Sequence, residues 1–222
     1  HELACITKPV MQNLFKGYLD LDLKECTALR CNCTNALDDY EHEINSLIPK
    51  SDYNIGYIGR LEKPFFSIIV DEFISFCNKN CEKKITVVFF GGAFEQKTID
   101  ALEDKFKSLS NVRIFITGYL FPLPIAALQK MDVFVSGAGS ASVAAKVGIS
   151  SIKIDILSYK VLGIMLDYKG LSYTKCPYGE TICDYLNWIL VRKDPKLPLP
   201  LEVNYKKDWD FVCECFEEHL KF

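Results

Sequence analysis

The segment from Met131 to Asp155 constrains this chain more than any other. Val133 to Val135 is a short run of β-branched and aromatic residues, the composition of a buried strand. Ser136-Gly137-Ala138-Gly139-Ser140 follows without a gap. Glycines at two of three positions allow a sharp turn, and a ligand approaching them meets no Cβ. Ser140 is a suitable N-cap, Ala141 to Val147 supplies about two helical turns, and Gly148 suits the position just past a helix end. Ile152 to Ile154 then returns to strand character. Strand, glycine turn, short helix and strand make one βαβ step of a parallel sheet. The turn presents N–H groups at a helix N-terminus, a setting in which phosphate is commonly bound. The same glycines equally suit close packing of helix on sheet.

The chain upstream repeats this alternation. Ile55 to Ile58 reads as a strand, followed by Gly59-Arg60-Leu61-Glu62-Lys63-Pro64. Phe65 to Asn78 is an amphipathic helix with Phe66, Ile69, Val70, Phe73, Phe76 and Cys77 on one face. Ile85 to Phe90 is a continuous apolar strand closed by Gly91-Gly92, and Thr98 to Leu109 is a second amphipathic helix. Val112 to Thr117 is a strand ending at Gly118-Tyr119, and Pro122 to Lys130 is a short helix. Strands that are apolar throughout, not alternately, belong to a parallel sheet covered on both faces. The expected fold class is therefore α/β, with five or six parallel strands and Gly59, Gly91, Gly118 and Gly137 at one edge.

The flanks are less regular. Leu3 to Thr7 and Cys26 to Cys31 suit short strands, Pro9 to Tyr18 a helix, and Asn32 to Tyr53 a connecting loop with some helix. Leu157 to Tyr178 reads as irregular. Glu180 to Arg192 reads as a helix in which Thr181 and Asp184 have capping-box spacing. Three prolines between Lys193 and Pro200 mark a linker, and Asp208 to Leu220 is a last helix with Trp209, Val212, Phe216 and Leu220 on one face. The expected organisation is an N-terminal segment or crossover over 1–53, the α/β domain over 54–192, and a linker with its helix over 193–222.

Composition narrows the function. A net charge of −3 with 25% charged residues gives no basic footprint for nucleic acid. No apolar run approaches the ~18 residues that span a bilayer. The first residue is His1 and no signal-peptide pattern follows, so the chain is expected to be a piece of something longer or what remains of a processed or engineered chain. The ten cysteines have the spacings of neither a zinc knuckle nor a small disulfide scaffold, and most read as reduced, half-buried apolar filler with no metal site.

In an open parallel sheet, glycine turns that follow strands gather at the carboxyl edge, where ligands bind. Arg60 and Lys63 in the first such turn suit a diphosphate, through a bidentate fork and a mobile point charge. Gly59-Arg60-Leu61 with Lys63, then Gly91-Gly92, Gly118-Tyr119, and Asp132-Val133-Phe134-Val135-Ser136 with its glycine turn, resemble the donor-binding C-terminal half of a GT-B glycosyltransferase. That architecture has two facing Rossmann-like domains. The similarity is to the retaining group related to glycogen and lipopolysaccharide synthases (glycosyltransferase family 4), and it spans about Asn54 to Asp155.

The resemblance implies a Rossmann-like parallel sheet, one half of a GT-B fold. It implies transfer of a hexose from a nucleotide-diphosphate sugar to a polysaccharide or glycolipid acceptor. Arg60, Lys63 and the turn Gly137, Ala138, Gly139 and Ser140 would hold the donor phosphates. Gly92, Tyr119 and Ser142 would lie near base or ribose, and no cofactor or metal is expected. A missing N-terminal domain would supply the acceptor site. The location would be cytoplasmic, with peripheral contact to the inner membrane face. One departure stands out: the glutamate that usually binds the ribose is replaced by Ala145, or by Val143 if the helix is shifted. Two other readings stay open, a degenerate module that binds a partner through the old cleft and a nucleotide-sugar epimerase.

Overall fold

The structure, a computed structural model, describes residues 37–166 and 173–193, together with two short strands near the N-terminus. The chain divides into two compact units, His1–Thr34 with Val203–Phe222, and Asn35–Glu202. In the first, β1 (Ala4–Cys5) pairs in parallel with β2 (Thr27–Ala28), inside the two stretches expected to be strands. The expected helices at Pro9 to Tyr18 and Asp208 to Leu220, with Trp209 and Phe216, lie outside the described residues.

The second unit is built on a seven-stranded sheet. Its chain order is β3 (Leu37–Asp38), α1 (Ile44–Leu47), β4 (Tyr53–Ile58), α2 (Phe66–Lys79), β5 (Ile85–Phe90), α3 (Gln96–Phe106), β6 (Val112–Ile116) and β7 (Leu123–Pro124). It continues with α4 (Ile125–Leu128), β8 (Val133–Gly137), α5 (Ala138–Lys146), β9 (Ser150–Ile154), β10 (Val161–Met165), β11 (Tyr173–Thr174) and α6 (Ile182–Leu186). The sheet order is β11-β10-β9-β8-β4-β5-β6, while β3 and β7 form a separate parallel pair. Strands β9, β8, β4, β5 and β6 are mutually parallel. Their order is that of a doubly wound Rossmann-like sheet, with β4 at its centre. The edge was not legible in the sequence: β10 and β11, in the stretch read as irregular, extend the sheet antiparallel.

Helices cover both faces, as the apolar strands require. One layer packs Ile55, Tyr57, Val87, Phe89, Val133, Val135, Ile152 and Ile154 against the buried stripe of α2 and against α3 and α6. The rings of Tyr57, Phe66, Phe73, Phe89 and Phe106 interlock there at centroid distances of 4.9 to 6.3 Å. The other layer packs Ile58, Val88, Phe90 and Phe134 against α1, α4 and α5. Gly56 is required here, because a Cβ on it would lie 2.2 Å from the Phe134 ring. The capping box at Thr181 and Asp184 is formed, and α6 runs on as a π-helix over Asn187–Arg192. Among the described residues no helix is long and apolar enough to cross a membrane.

Candidate functional site: a crevice at the carboxyl edge of the sheet

Strands β4 and β8 are neighbours in space and far apart in sequence, so the chain leaves them in opposite directions across the sheet. Such a switch point opens a crevice beyond the strand ends. The two strands are clamped at their amino ends. The Asn54 amide donates to Asp132 Oδ2 at 2.7 Å, and the Asp132 amide donates to the Asn54 carbonyl at 2.8 Å. The ladder itself holds only Ile55 opposite Val133 and Gly56 opposite Phe134. Beyond it the buried Ser136 hydroxyl takes over, accepting from the Ile58 amide at 3.0 Å and donating to the Ile58 carbonyl at 3.2 Å. A side chain in place of backbone lets the strands part while Ile58 stays satisfied.

The first wall is the turn from Gly59 to Lys63. It is fixed from below at several points. The Gly59 amide donates to the Phe90 carbonyl and the Leu61 amide to the Gly92 carbonyl. The buried Tyr57 hydroxyl donates to the Arg60 carbonyl at 2.9 Å. Gly91 packs so closely that a Cβ on it would lie 1.9 Å from the Gly59 carbonyl oxygen. The one carboxylate of the turn, Glu62, accepts from the Phe94 amide. Among the described residues neither Arg60 nor Lys63 has an acidic partner within ion-pair distance. Partial burial and the nearby Arg60 guanidinium hold the Lys63 ammonium below its ordinary pKa. Two neighbouring cations without a counterion make a place where an anion is favoured.

The second wall is the turn from β8 into α5. The helix begins earlier than its sequence suggests: Gly137 is the N-cap, and Ser140 lies inside the first turn and does not cap it. Ala138 makes this possible by adopting φ +53°, a left-handed conformation that costs a non-glycine residue roughly 1–2 kcal/mol. No side chain caps the helix and no acidic residue occupies its first turn, so the amides of Gly139 and Ser140 lack a side-chain acceptor there. Ser142 sits further along α5, half-buried. Ala145 is buried beside Ala141 and Met165, and Val143 packs into the layer around Phe134, so neither position presents an acid to a ribose.

The cations face different neighbours. Lys63 Nζ lies 5.6 Å from the centre of the Phe65 ring. That ring abuts the other wall, since a Cβ on Gly137 would be 2.8 Å from its Cζ. Arg60 instead faces Phe94, with its Cζ 6.0 Å from the ring centre. Phe94 pairs with Tyr119 at 6.1 Å, and Gly92 lies directly against the Tyr119 ring. Thus Phe65 links Lys63 to Gly137, while Phe94 and the Tyr119 ring link Arg60 to Gly92. An open groove of about 500 Å³ lies to one side, between α2 and α3, lined by Leu61, Lys63, Phe66, Val70, Lys97 and Leu102. Sequence reasoning missed Tyr57 and Phe94, and it named Glu62 and Ser136 only as parts of their turns. The position of Phe94 just after a strand's glycine pair was the available signal for it.

No protein-family model matches the chain, and no curated protein matches it in sequence. Among solved structures, the catalytic domain of cholesterol-α-glucosyltransferase from Helicobacter pylori is similar at 17% identity and TM-score 0.34, over 46% of this chain and 64% of that one. A mutant of S. aureus TarM in complex with fondaparinux, α-GlcNAc-glycerol and UDP is similar at 14% identity and TM-score 0.45, over 68% of this chain and 29% of that one. The chain spans less than two thirds of the length of either.

Proposed function

We propose that this chain is the donor-binding half of a two-domain glycosyltransferase of the retaining GT-B type, and that the crevice holds the diphosphate of a nucleotide sugar. One observation carries the reading. Two cations without an acidic partner among the described residues, in the turn after one switch-point strand, and uncapped helix amides in the turn after the other flank the place where the strands part. In the proposed reaction the bond from the sugar's anomeric carbon to the diphosphate oxygen breaks, a bond to an acceptor hydroxyl oxygen forms, and the hydroxyl proton passes to the departing diphosphate. Charge develops on the departing diphosphate, where fixed donors act most strongly. Arg60, Lys63 and the amides of Gly139 and Ser140 supply that positive potential, so the proposal includes no metal or cofactor. The acceptor, a polysaccharide or glycolipid, would be held by a second domain.

The test is calorimetric titration of UDP-, GDP- and ADP-sugars into the wild type and Arg60→Ala. One charge-assisted hydrogen bond contributes ~1.5–3 kcal/mol, so the substitution should weaken binding about tenfold to a hundredfold. Equal affinity for the two proteins, or no binding to either, would favour the second reading, a degenerate module that holds a partner. The buried Ala145, standing where the family's ribose-binding glutamate would be, supports that alternative.

A further inference from the structure

The groove between α2 and α3 has a chemistry that neither the fold nor the crevice accounts for. It holds about 500 Å³, within the range of small-molecule sites. Leu61, Phe66, Val70 and Leu102 make its floor apolar. It stays open because short exposed side chains line its walls, Ser67 on α2 and Ala101 on α3. A leucine at either position would cover more of that floor, so the opening adds nothing to the stability of the fold.

The charges of the groove are unevenly placed along it. Lys97, Ala101 and Lys105 fall at i, i+4 and i+8 on α3 and so share one face, with the two lysines about 12 Å apart along the helix. At the far end Lys105 reaches Asp71 of α2 at 2.7 Å, which neutralises it and ties the two helices together. Both helices begin at the carboxyl edge of the sheet, so Lys63 and Lys97 stand together at the other end. Lys63 has no acidic partner among the described residues. Lys97 pairs with Glu95 at 2.5 Å, but both side chains are largely exposed, and such a pair is readily exchanged for another anion. The one carboxylate of the lining, Glu62, is engaged by the Phe94 amide. Outside the groove α3 exposes Asp100, Glu103 and Asp104, which repel an extended anionic surface.

We propose that this groove binds a small amphiphilic anion, a medium-chain fatty carboxylate, with its head between Lys63 and Lys97 and its chain along Phe66, Val70 and Leu102. The cations at one end select the head, and the apolar floor selects the chain. The neutral Lys105–Asp71 pair limits the chain's length. The acidic flank of α3 disfavours an anionic membrane or an acidic protein as the occupant. The site meets the proposed donor crevice only at Lys63, which borders both, and it does not depend on that reading.

The experiment is calorimetric titration of decanoate, kept below its micelle-forming concentration, with decanol and acetate for comparison. The proteins are the wild type, Ala101→Leu, Ser67→Leu and Lys97→Ala, each shown to be folded by circular dichroism. Decanoate should bind the wild type, decanol more weakly, and acetate not measurably. Ala101→Leu and Ser67→Leu fill the groove from opposite walls, and each should abolish decanoate binding while its melting temperature holds or rises. Lys97→Ala should weaken decanoate about twofold to fivefold, the range of an exposed charge contact, and leave decanol unchanged. No binding of decanoate to the wild type, or equal binding to the wild type and both leucine variants, overturns the site. Equal affinity for decanoate and decanol, with no effect of Lys97→Ala, overturns the charged head. Co-sedimentation with phosphatidylglycerol vesicles that Ala101→Leu abolishes would identify a membrane face and also refute the proposal.

Discussion

Ser136→Ala tests how the crevice is kept open. The hydroxyl is fully buried and satisfies both the amide and the carbonyl of Ile58, where the β4–β8 ladder has ended. Removing it orphans one donor and one acceptor in a dry position, at ~1–3 kcal/mol for each unsatisfied group. Some relaxation of the strands is available, so a loss of roughly 2–4 kcal/mol is expected. For a chain of this size that corresponds to a fall in Tm of roughly 5–15 °C. Urea denaturation followed by circular dichroism measures the loss, and amide hydrogen exchange at Ile58 reports its place. Ser46→Ala is the control: its exposed hydroxyl donates to the Glu43 carbonyl, and its loss should cost under about 0.5 kcal/mol. A Ser136→Ala loss no larger than the control's, with Ile58 protection unchanged, would show that water or direct strand pairing replaces the hydroxyl. The account of how the strands part would then be wrong.

Tyr57→Phe removes the hydroxyl that holds the Arg60 carbonyl; stability should fall by only about 0.5–1.5 kcal/mol, because that carbonyl can turn to water. Nucleoside-diphosphate affinity should fall severalfold in the wild type but not in an Arg60→Ala background, and additive effects in that double-mutant cycle would refute a positioning role. Burial and the neighbouring Cys183 push the Cys77 thiol up to about 12, and burial likewise raises the Tyr57 phenol. Raised folded-state values favour the protonated forms, so this stability is intact below the unfolded thiol range near ~8.5 and is lost as pH rises toward the folded values. Urea midpoints should therefore decline through the alkaline range, and a thiol reagent should label exposed Cys81 in the native protein but Cys77 only after unfolding. A flat alkaline profile, or native labelling of Cys77, would count against that burial.

Sequence pattern exposed the alternation of elements because both signals are local. Ile85 to Phe90 is apolar at every position, and the α2 stripe recurs with helical period. Strand order is not local. Nothing near Ser136 shows that its hydroxyl meets Ile58, 78 residues away in the chain. The start of α5 was misread for a related reason. Ser140 is the better cap by residue type, but a left-handed Ala138 moves the helix start to Gly137. The edge hairpin was hidden by Gly163, which weakens a strand pattern and is needed because a Cβ there would lie 2.7 Å from the Thr174 carbonyl. Arg60 and Lys63 were legible as cations after a strand. Phe94 was marked only by its place after a glycine pair, since an exposed phenylalanine and a buried one look alike in a sequence.

Gly137 and Gly139 also look alike in the sequence, and the structure gives them different tasks. A Cβ on Gly137 would press against the Phe65 ring at 2.8 Å and Ile156 at 3.1 Å. Gly137→Ala should therefore overpack the wall of the crevice and cost about 1–3 kcal/mol. A Cβ on Gly139 meets nothing within 4 Å, and the residue stands in a helix without a positive φ. Alanine there reduces the freedom of the unfolded chain and should raise stability by about 0.4–1 kcal/mol. Glycine at 139 thus has no evident role in folding. Its value would lie in the bare backbone it offers to a phosphate, which a methyl group would hold away from the amides of residues 139 and 140. Denaturation and nucleoside-diphosphate binding measured on one Gly139→Ala preparation separate these effects. Higher stability with weaker binding is expected. Higher stability with unchanged binding would mean that the phosphate does not approach this turn, and the proposed donor site would lose its second wall.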